Sequence, residues 1–457
     1  MSTQRRTTSF PCGHRAPAAG IGRGLKDPRT HPNPERTRPR DLCGHRSTPR
    51  WRCQTPGRTM QSMARRPGWW LLALVLLSAG VRFWRLGDPP KQVFDEIYYA
   101  RTAREYLTGQ PIYEWTHPPL SKLLVAVGIR VAGFDAWGWR LVPAVFGTLL
   151  IPALYAFGTL ATGRPSSGLA VAALGALDSI WVVESRIAKP EVFLATFSVL
   201  AYALGWAAVR TGRWGELAAA GGAAGAACAT KWTGLASLAA LGFLVALAGP
   251  SVGRRWPGWA VAASLLVVPL AVYAASYVPH VARGENLADL ARLHVNMYRY
   301  HATLQATHPY ASPWWSWPLL LRPMWYYYEA SGGWMKGIFA VGNPVIWWAV
   351  LPAVVAALRQ VRNSPPLAFA AVGFALSYLP YAFVGRLLFV YHFTPVLPFG
   401  YLALAAALES ARGPLARWIR GYWTAAALVF LYQLPVLTAY PVPATWLRWW
   451  TLVRSWV

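Results

Sequence analysis

Charged residues are scarce in this sequence, and acidic residues are the scarcest of them. Of the 457 residues, 13% are charged and 17 are Asp or Glu, whereas 55% are apolar. Mean hydropathy is +0.29. Soluble domains carry about 25% charged residues, so the composition argues against an ordinary soluble domain. It predicts a protein that has lipid as its main solvent.

Cysteine is also rare, and its distribution argues against a disulfide framework. Cys12, Cys43 and Cys53 lie in a polar N-terminal stretch, and Cys228 lies in an apolar run. The first two are each followed by Gly and His, but this spacing matches no structural zinc pattern. We therefore predict no metal site.

The N-terminal segment 1–68 holds 15 Lys and Arg against three acidic residues and has few apolar ones. Such a composition cannot bury enough apolar surface to fold, so we expect the segment to be disordered. Met60 or Met63 would be a plausible alternative start of translation, in which case the start of this segment is mis-assigned. Although the net charge of +27 is high, most other arginines lie between apolar runs, which argues against a nucleic-acid partner.

Apolar runs of spanning length predict about eleven transmembrane helices. They lie near 69–86, 140–160, 167–185, 190–209, 215–231, 232–249, 258–278, 338–357, 366–384, 387–409 and 421–440. An odd number of spans puts the two termini on opposite sides of the membrane. Alternate loops carry the arginines: Arg164, Arg210, Arg213, Arg254, Arg255, Arg359, Arg362, Arg412, Arg417 and Arg420. By the positive-inside rule the N-terminus is cytoplasmic.

Two long segments, 87–139 and 279–337, then lie outside the cell membrane, followed by a short external tail at 441–457. The first contains the acidic pair Asp95 and Glu96, followed by His117 and Lys122. A Pro-Pro step after His117 predicts a short re-entrant or interfacial helix near 119–133. A solvated loop with surface ion pairs is the alternative interpretation of these residues.

Further cations recur at the outer ends of predicted spans. These are Arg140, Arg186, Lys189, Lys231 and Arg386, accompanied by Glu184 and Glu191. Lys and Arg at helix ends often extend toward lipid headgroups without further function. Together on one membrane face, however, they could bind the phosphate of a lipid-linked substrate. His294, His301 and His308 in the second external segment lack a metal-ligand spacing, and its aromatic residues are typical of a membrane interface.

The motifs resemble those of the protein O-mannosyltransferases that use a polyprenyl-phosphate sugar, a family of the GT-C superfamily. The matching stretches are Asp95-Glu96, His117 to Lys122, Trp139 to Thr148, Ser185 to Ile187, Thr230 to Trp232, His308 to Tyr310 with Ser312, and Tyr391 to Phe393 with Pro395 and Pro398. They extend over residues 70–440. Departures are Ser121, where the family usually has Gly, and Glu191, where it usually has Asp. The family's eukaryotic β-trefoil domain is missing, as in the bacterial branch.

The resemblance implies an all-α polytopic GT-C fold, here as one transmembrane domain at 69–440. It implies transfer of a sugar, most plausibly mannose, to Ser or Thr hydroxyls of exported proteins with inversion. Asp95 would be the base, with Glu96 orienting the acceptor or its neighbour, and Arg140 would be the first choice to bind the donor phosphate. Arg186, Lys231 and Arg386 are further phosphate candidates, and His117, Lys122, His308 and Glu191 would support the site.

Two other functions stay open from the sequence. A related GT-C family moves aminoarabinose from a polyprenyl carrier to lipid A and shares the acidic motif, so the acceptor could be a lipid. A transporter would need ionisable residues in its spans, of which Asp178 is the clearest. Whether a divalent metal assists is not indicated by the sequence.

Overall fold

The computed structural model describes residues 67–251, 256–451 and 454–456. The segment 1–68, predicted to be disordered, therefore lies almost entirely outside the described residues. We number the helices α1 to α17 and the strands β1 to β3 in chain order. Short 3-10 turns are named by their residues.

Helices account for every predicted apolar run. The helices are α1 Pro67–Phe83, α2 Glu96–Thr108, α3 Leu120–Ala132, α4 Ala136–Thr162, α5 Pro165–Leu177, α6 Ser179–Glu184, α7 Glu191–Thr211, α8 Trp214–Thr230, α9 Leu235–Ser251, α10 Gly258–Ala275, α11 Val278–Val281, α12 Leu287–Thr303, α13 Pro344–Leu358, α14 Pro365–Tyr378, α15 Leu397–Ser410, α16 Pro414–Leu437 and α17 Leu447–Trp450. Helix α10 contains a π-helical turn at Ala263–Val267.

Within the described residues, five apolar segments are long enough to cross a membrane by themselves. These are Ala136–Thr162, Glu191–Thr211, Gly258–Ala275, Pro365–Phe383 and Val390–Ser410, and four shorter apolar helices accompany them. The prediction of a polytopic helical membrane protein is confirmed, whereas the number eleven stays a prediction. The run 167–185 is interrupted at Asp178, which ends α5 and caps α6 through a hydrogen bond to the Ile180 amide.

The two long segments expected between spans are folded rather than irregular. The first contains α2 and α3, and α3 matches the interfacial helix predicted near 119–133. The second contains α12 and a β-hairpin that was not predicted. Strands β1 Met324–Ser331 and β2 Trp334–Ala340 are antiparallel, and β2 also pairs with β3 Val442–Pro443. The run expected to be helical from residue 338 is therefore still strand at Ala340.

Small residues allow close helix packing near the centre of the fold. Helix α8 is rich in Ala and Gly, and a Cβ at Gly225 would lie 2.6 Å from the Pro269 backbone of α10. The chain then breaks at Lys231, as the separate runs 215–231 and 232–249 predict. A Cβ at Gly234 would meet the backbone of Ala227 and Cys228 at 2.5 Å, so this tight return requires glycine.

Candidate active site

A cavity of about 1520 Å³ opens beside the N-terminus of α2. Its walls come from α2, the loop before α3, the start of α7, the break at Lys231, the end of α12 and the segment 381–392. Of the residues predicted to form a site, six line this cavity: Asp95, His117, Glu191, Lys231, His308 and Arg386. The other four, Glu96, Lys122, Arg140 and Arg186, are not among its lining residues.

Asp95 is directed to the cavity by a local turn of the backbone. Phe94 adopts φ of +49° and stacks on Tyr326 with ring centroids 4.3 Å apart. Left-handed backbone at a non-glycine residue is unfavourable and often marks a functional position. Among the residues that the structure describes, none donates a hydrogen bond to the Asp95 carboxylate. This carboxylate is therefore available to a substrate.

The surroundings of Asp95 disfavour its charged form. Burial raises the pKa of Asp95 to about 6, Lys189 and Lys231 counteract this, and Glu191 and Glu114 add to it. A carboxylate with this pKa is ionised at neutral pH and still basic enough to accept a proton.

Glu96 has a different environment, although it is the next residue. Its carboxylate is fully buried and receives Arg140 Nε and Nη2, both at 2.8 Å. It also accepts hydrogen bonds from the Val93 amide at 3.0 Å and the Ala188 amide at 3.1 Å. Glu96 is thus a structural anchor for the start of α2. These contacts agree with the expected role of orienting its neighbour Asp95 and not with that of orienting the acceptor.

Arg140 is likewise used for structure. Beyond Glu96, its guanidinium donates to the carbonyls of Leu86, Pro89 and Lys91 at 2.9–3.1 Å. It is 1% exposed. All its donors are occupied inside the protein, so the expectation that Arg140 binds the donor phosphate is corrected.

Arg186 has the same kind of role at the end of α1. It donates to the carbonyls of Val81, Arg82 and Trp84 through Nη1, and to that of Arg85 through Nη2, at 2.7–3.1 Å. These are the carbonyls that a helix leaves unpaired at its C-terminus. Arg186 is therefore also corrected from a phosphate ligand to a helix cap.

Lys231 and Arg386 are the predicted cations that do line the cavity. Lys231 Nζ donates to Glu191 Oε1 at 3.0 Å. The Arg386 guanidinium hydrogen-bonds His301 Nδ1, and its Nε is buried without a partner among the described residues. Both side chains can therefore offer donors to an anion in the cavity.

Behind Lys231 lies a buried group of alternating charges. Lys189 Nζ lies 3.0 Å from Glu184 Oε2 and 3.4 Å from Glu191 Oε2. It also donates to the Tyr326 hydroxyl at 2.8 Å and lies 3.7 Å from the centre of the Tyr391 ring. Lys189 and Lys231 share Glu191, and of these two cations Lys231 is the one that lines the cavity.

The loop before α3 presents His117 through a residue that the sequence analysis did not identify, Glu114. Glu114 Oε1 lies 3.3 Å from His117 Nδ1, and Glu114 Oε2 accepts from Lys122 Nζ. Burial alone would raise the pKa of Glu114, but Lys122 and His117 outweigh it and lower that pKa. Lys122 also donates to the carbonyls of Glu114 and His117 at 2.8 and 2.7 Å. It stabilises the loop from behind and does not contact the cavity.

The sequence analysis gave His301 no role in a site, but this residue joins two walls of the cavity. Its Nε2 lies 2.7 Å from the Thr116 carbonyl, and its ring lies 5.1 Å from that of His117. Burial, with help from His117, lowers the pKa of His301 to about 4. A neutral ring whose Nε2 donates to the Thr116 carbonyl can accept a hydrogen bond from Arg386 at Nδ1. His308 lines the same cavity and accepts from the Tyr310 amide.

Asp178, the residue that a transporter would require, is fully satisfied inside the protein. It accepts from Tyr401, Trp347 and the Asn343 amide at 2.6–3.0 Å and is 0% exposed. Within the described ranges, no group of three or more His, Cys, Asp or Glu residues is arranged to hold a metal ion.

The sequence matches three family models. Residues 72–139 and 116–273 each match a model described as dolichyl-phosphate-mannose-protein mannosyltransferase. Residues 286–456 match the C-terminal four TMM region of protein-O-mannosyltransferase. Together the models extend over most of the predicted transmembrane domain.

Curated relatives give the same result. The chain is 27% identical over 477 residues to the polyprenol-phosphate-mannose–protein mannosyltransferase of Mycolicibacterium smegmatis, with 83% of this chain and 91% of the relative covered. The enzyme of the same name from Mycobacterium tuberculosis is 27% identical over 472 residues, with 83% and 90% covered.

Solved structures share the fold. The Saccharomyces cerevisiae protein O-mannosyltransferase Pmt1-Pmt2 complex bound to the sugar donor matches with a TM-score of 0.75 and 15% identity, over 88% of this chain and 95% of that one. ArnT from Cupriavidus metallidurans bound to undecaprenyl phosphate matches with a TM-score of 0.56 and 20% identity, over 81% and 74%. The predicted GT-C fold and family resemblance are confirmed, and the chain belongs to the dolichyl-phosphate-mannose-protein mannosyltransferase family.

Proposed function

We propose that this protein transfers mannose from a polyprenyl-phosphate donor to Ser or Thr hydroxyls of exported proteins, with inversion at the anomeric carbon. The observation that carries the proposal is that Asp95, whose carboxylate accepts no hydrogen bond from the described residues, lines the same cavity as Lys231 and Arg386. A base and two phosphate ligands at one cavity are what such a transfer needs.

In the proposed reaction, the Asp95 carboxylate takes the proton of the acceptor hydroxyl as its oxygen attacks the anomeric carbon. The new bond forms between that oxygen and the carbon. The bond from the carbon to the phosphate oxygen breaks, and its electron pair stays on the phosphate. Lys231 and Arg386 stabilise the charge that develops there. Because phosphate leaves as a stable anion, no general acid is required.

We infer the side of the membrane on which the cavity opens from the predicted topology. The N-terminus would be cytoplasmic and the cavity would open on the outer face of the cell membrane, where exported acceptors are available. The partners would be the lipid-linked sugar, the acceptor and the surrounding membrane lipids.

The test uses membranes that contain the full chain, polyprenyl-phosphate mannose with labelled sugar, and an acceptor peptide rich in Ser and Thr. We expect label in the peptide. Label in a lipid product instead would favour the lipid-directed alternative, and solute uptake without sugar transfer would favour a transporter.

Asp95→Asn should lower transfer by about 10²- to 10⁴-fold, the usual contribution of a positioned base. Asn is close in size, so expression and donor binding should stay near those of the wild type. Transfer at the wild-type rate in this variant would eliminate Asp95 as the base.

A further inference from the structure

Tyr99 is buried, and its hydroxyl has no hydrogen-bond partner among the described residues. The residue is 3% exposed, and its oxygen is buried without a hydrogen bond among the described residues. Buried hydroxyls nearly always have a partner, so one that lacks it needs an explanation. Since Tyr99 also lines the cavity, a bound molecule can supply the partner.

The position of Tyr99 is fixed by its helix and its packing. It follows Asp95 by four residues at the start of α2, and residues so spaced lie on the same face of a helix. Tyr99 belongs to a buried hydrophobic cluster that also contains Ala103, Val125 and Phe193. The backbone position of Tyr99 is therefore fixed about one helical turn from the proposed base.

The charges around this hydroxyl indicate which kind of ligand it can bind. Burial raises the pKa of Tyr99 well above its ordinary value, and Glu114, Glu191 and Asp95 raise it further. Tyr99 is thus neutral and can donate a hydrogen bond. Three carboxylates act on this hydroxyl, so a phosphate placed beside it would be repelled. A neutral group that accepts a hydrogen bond suits this position.

The burial of Tyr99 favours a contact with the donor sugar over a contact with the acceptor. The neighbours of Tyr99 at the opening, Ile97, Tyr98 and Tyr113, are 46%, 40% and 50% exposed and can meet an incoming peptide. Tyr99 lies beneath them. Glu191 lines the same cavity, but its two oxygens are held by Lys231 and Lys189. The Tyr99 hydroxyl is therefore the group in this wall that can donate to a sugar hydroxyl.

We propose that the Tyr99 hydroxyl donates a hydrogen bond to a hydroxyl of the sugar on the lipid donor, and so acts as a specificity-determining residue. This inference rests on the proposed function and refines it. Tyr99 would fix the sugar ring relative to Asp95 without taking part in proton transfer.

Tyr99→Phe removes only this hydroxyl and retains the packed ring. Because the hydroxyl forms no hydrogen bond with any described residue, the unfolding temperature should not change. We expect kcat/KM for the lipid donor to fall about 3- to 10-fold, the value of one hydrogen bond between neutral groups.

Donors whose sugar lacks one hydroxyl identify the contact. Polyprenyl phosphates of 2-, 3-, 4- and 6-deoxymannose are compared in wild type and Tyr99→Phe. With the donor that lacks the contacted hydroxyl, wild type and Tyr99→Phe should have equal kcat/KM, because neither protein can form the hydrogen bond. An equal loss with every donor would overturn the sugar contact, as would wild-type kcat/KM in Tyr99→Phe. Failure of the wild type to transfer mannose would overturn the proposed function instead.

Tyr106→Phe is the matched control on the same helix. The Tyr106 hydroxyl lies 2.8 Å from His280 Nε2 and does not line the cavity. This change should lower the unfolding temperature and leave the ratio of rates among the deoxy donors unaltered. A changed ratio would mean that α2 transmits packing effects to the cavity, and the sugar contact would then lose its support.

Discussion

Asp95 and Glu96 are adjacent in sequence and have opposite roles. Asp95 keeps a free carboxylate in the cavity, whereas Glu96 is fully buried against Arg140. The motif suggested a site at this pair, but residue type alone could not assign the roles. The partners of Arg140 are carbonyls about fifty residues away, and nothing local in the sequence indicates them.

Glu114 was overlooked for a similar reason. It stands alone among aromatic residues, and its partner Lys122 is eight residues away across a Pro-Pro step. Only the fold brings the carboxylate between His117 and Lys122. The cations at the cavity, Lys231 and Arg386, could be predicted because each begins or ends an apolar run.

Protonation of Asp95 should control activity in weak acid. Its pKa is raised to about 6, so the base is lost as pH falls through that value. We expect kcat/KM to decrease tenfold for each pH unit below 6 and to level off above 7. The pKa of His301, about 4, lies below this window. Steady-state rates from pH 4.5 to 8 check the profile, and a flat profile would contradict it.

Lys231 and Arg386 should determine how tightly the lipid phosphate is held. Removing one charged hydrogen bond costs about 1.5–3 kcal/mol, equivalent to a KM higher by about 10- to 150-fold. Lys231→Met and Arg386→Met test this with varied donor concentration. Arg130→Met serves as control, because Arg130 is exposed on α3 and does not line the cavity. An unchanged donor dependence would remove the residue concerned from the phosphate site.

At the scale of elements, the ion pair between Glu96 and Arg140 joins the start of α2 to α4 and to the loop 86–91. A buried pair broken on one side leaves a charge without compensation, which costs about 3–5 kcal/mol. Glu96→Gln should therefore lower the free energy of unfolding by that amount. The double variant Glu96→Gln with Arg140→Met should lose less than the sum of the single ones.

Unfolding in detergent measures both effects, and Arg130→Met is again the matched control. Stability equal to that of the wild type in Glu96→Gln would show that the pair is not an anchor. The same measurement separates Arg140 from a phosphate ligand, since loss of a ligand would affect donor binding and leave stability unchanged.

The helices were predicted more completely than the hairpin. Apolar runs of 17 residues or more have few alternatives in a membrane protein, and a break at Lys231 was visible in the sequence. Strands β1 and β2 were interpreted as an aromatic belt at the interface. Their signal was nevertheless present, since the aromatic run Trp325–Tyr328 precedes Gly332 and Gly333 and Trp334 follows them, and two glycines form a two-residue turn typical of hairpins.

At the scale of the whole molecule, the predicted topology puts α12 outside the membrane and the turn between α13 and α14 inside. Ala288 and Asn363 are exposed at these places. In a background with Cys12, Cys43 and Cys53 changed to Ser, we introduce Ala288→Cys or Asn363→Cys. A membrane-impermeant maleimide applied to intact cells should label the first variant and not the second.

After lysis both variants should react, which confirms that each cysteine is accessible. Cys228 is buried and serves as the internal background. The opposite pattern in intact cells would invert the topology and with it the side on which the cavity opens. Labelling of both before lysis would mean that the two positions face the same side.

The hairpin links the end of the chain to the charges of the site. Tyr326 on β1 donates to Glu184 at 2.7 Å and accepts from Lys189, while β2 pairs with Val442 and Pro443. The last residues contact the base of the same hairpin, where Trp456 donates to the Leu320 carbonyl. Removing the residues from Val442 onward would thus remove a strand that pairs with the hairpin, and so weaken the position of Tyr326 against Glu184 and Lys189. None of the removed residues lines the cavity. A purification tag is better fused at the other terminus.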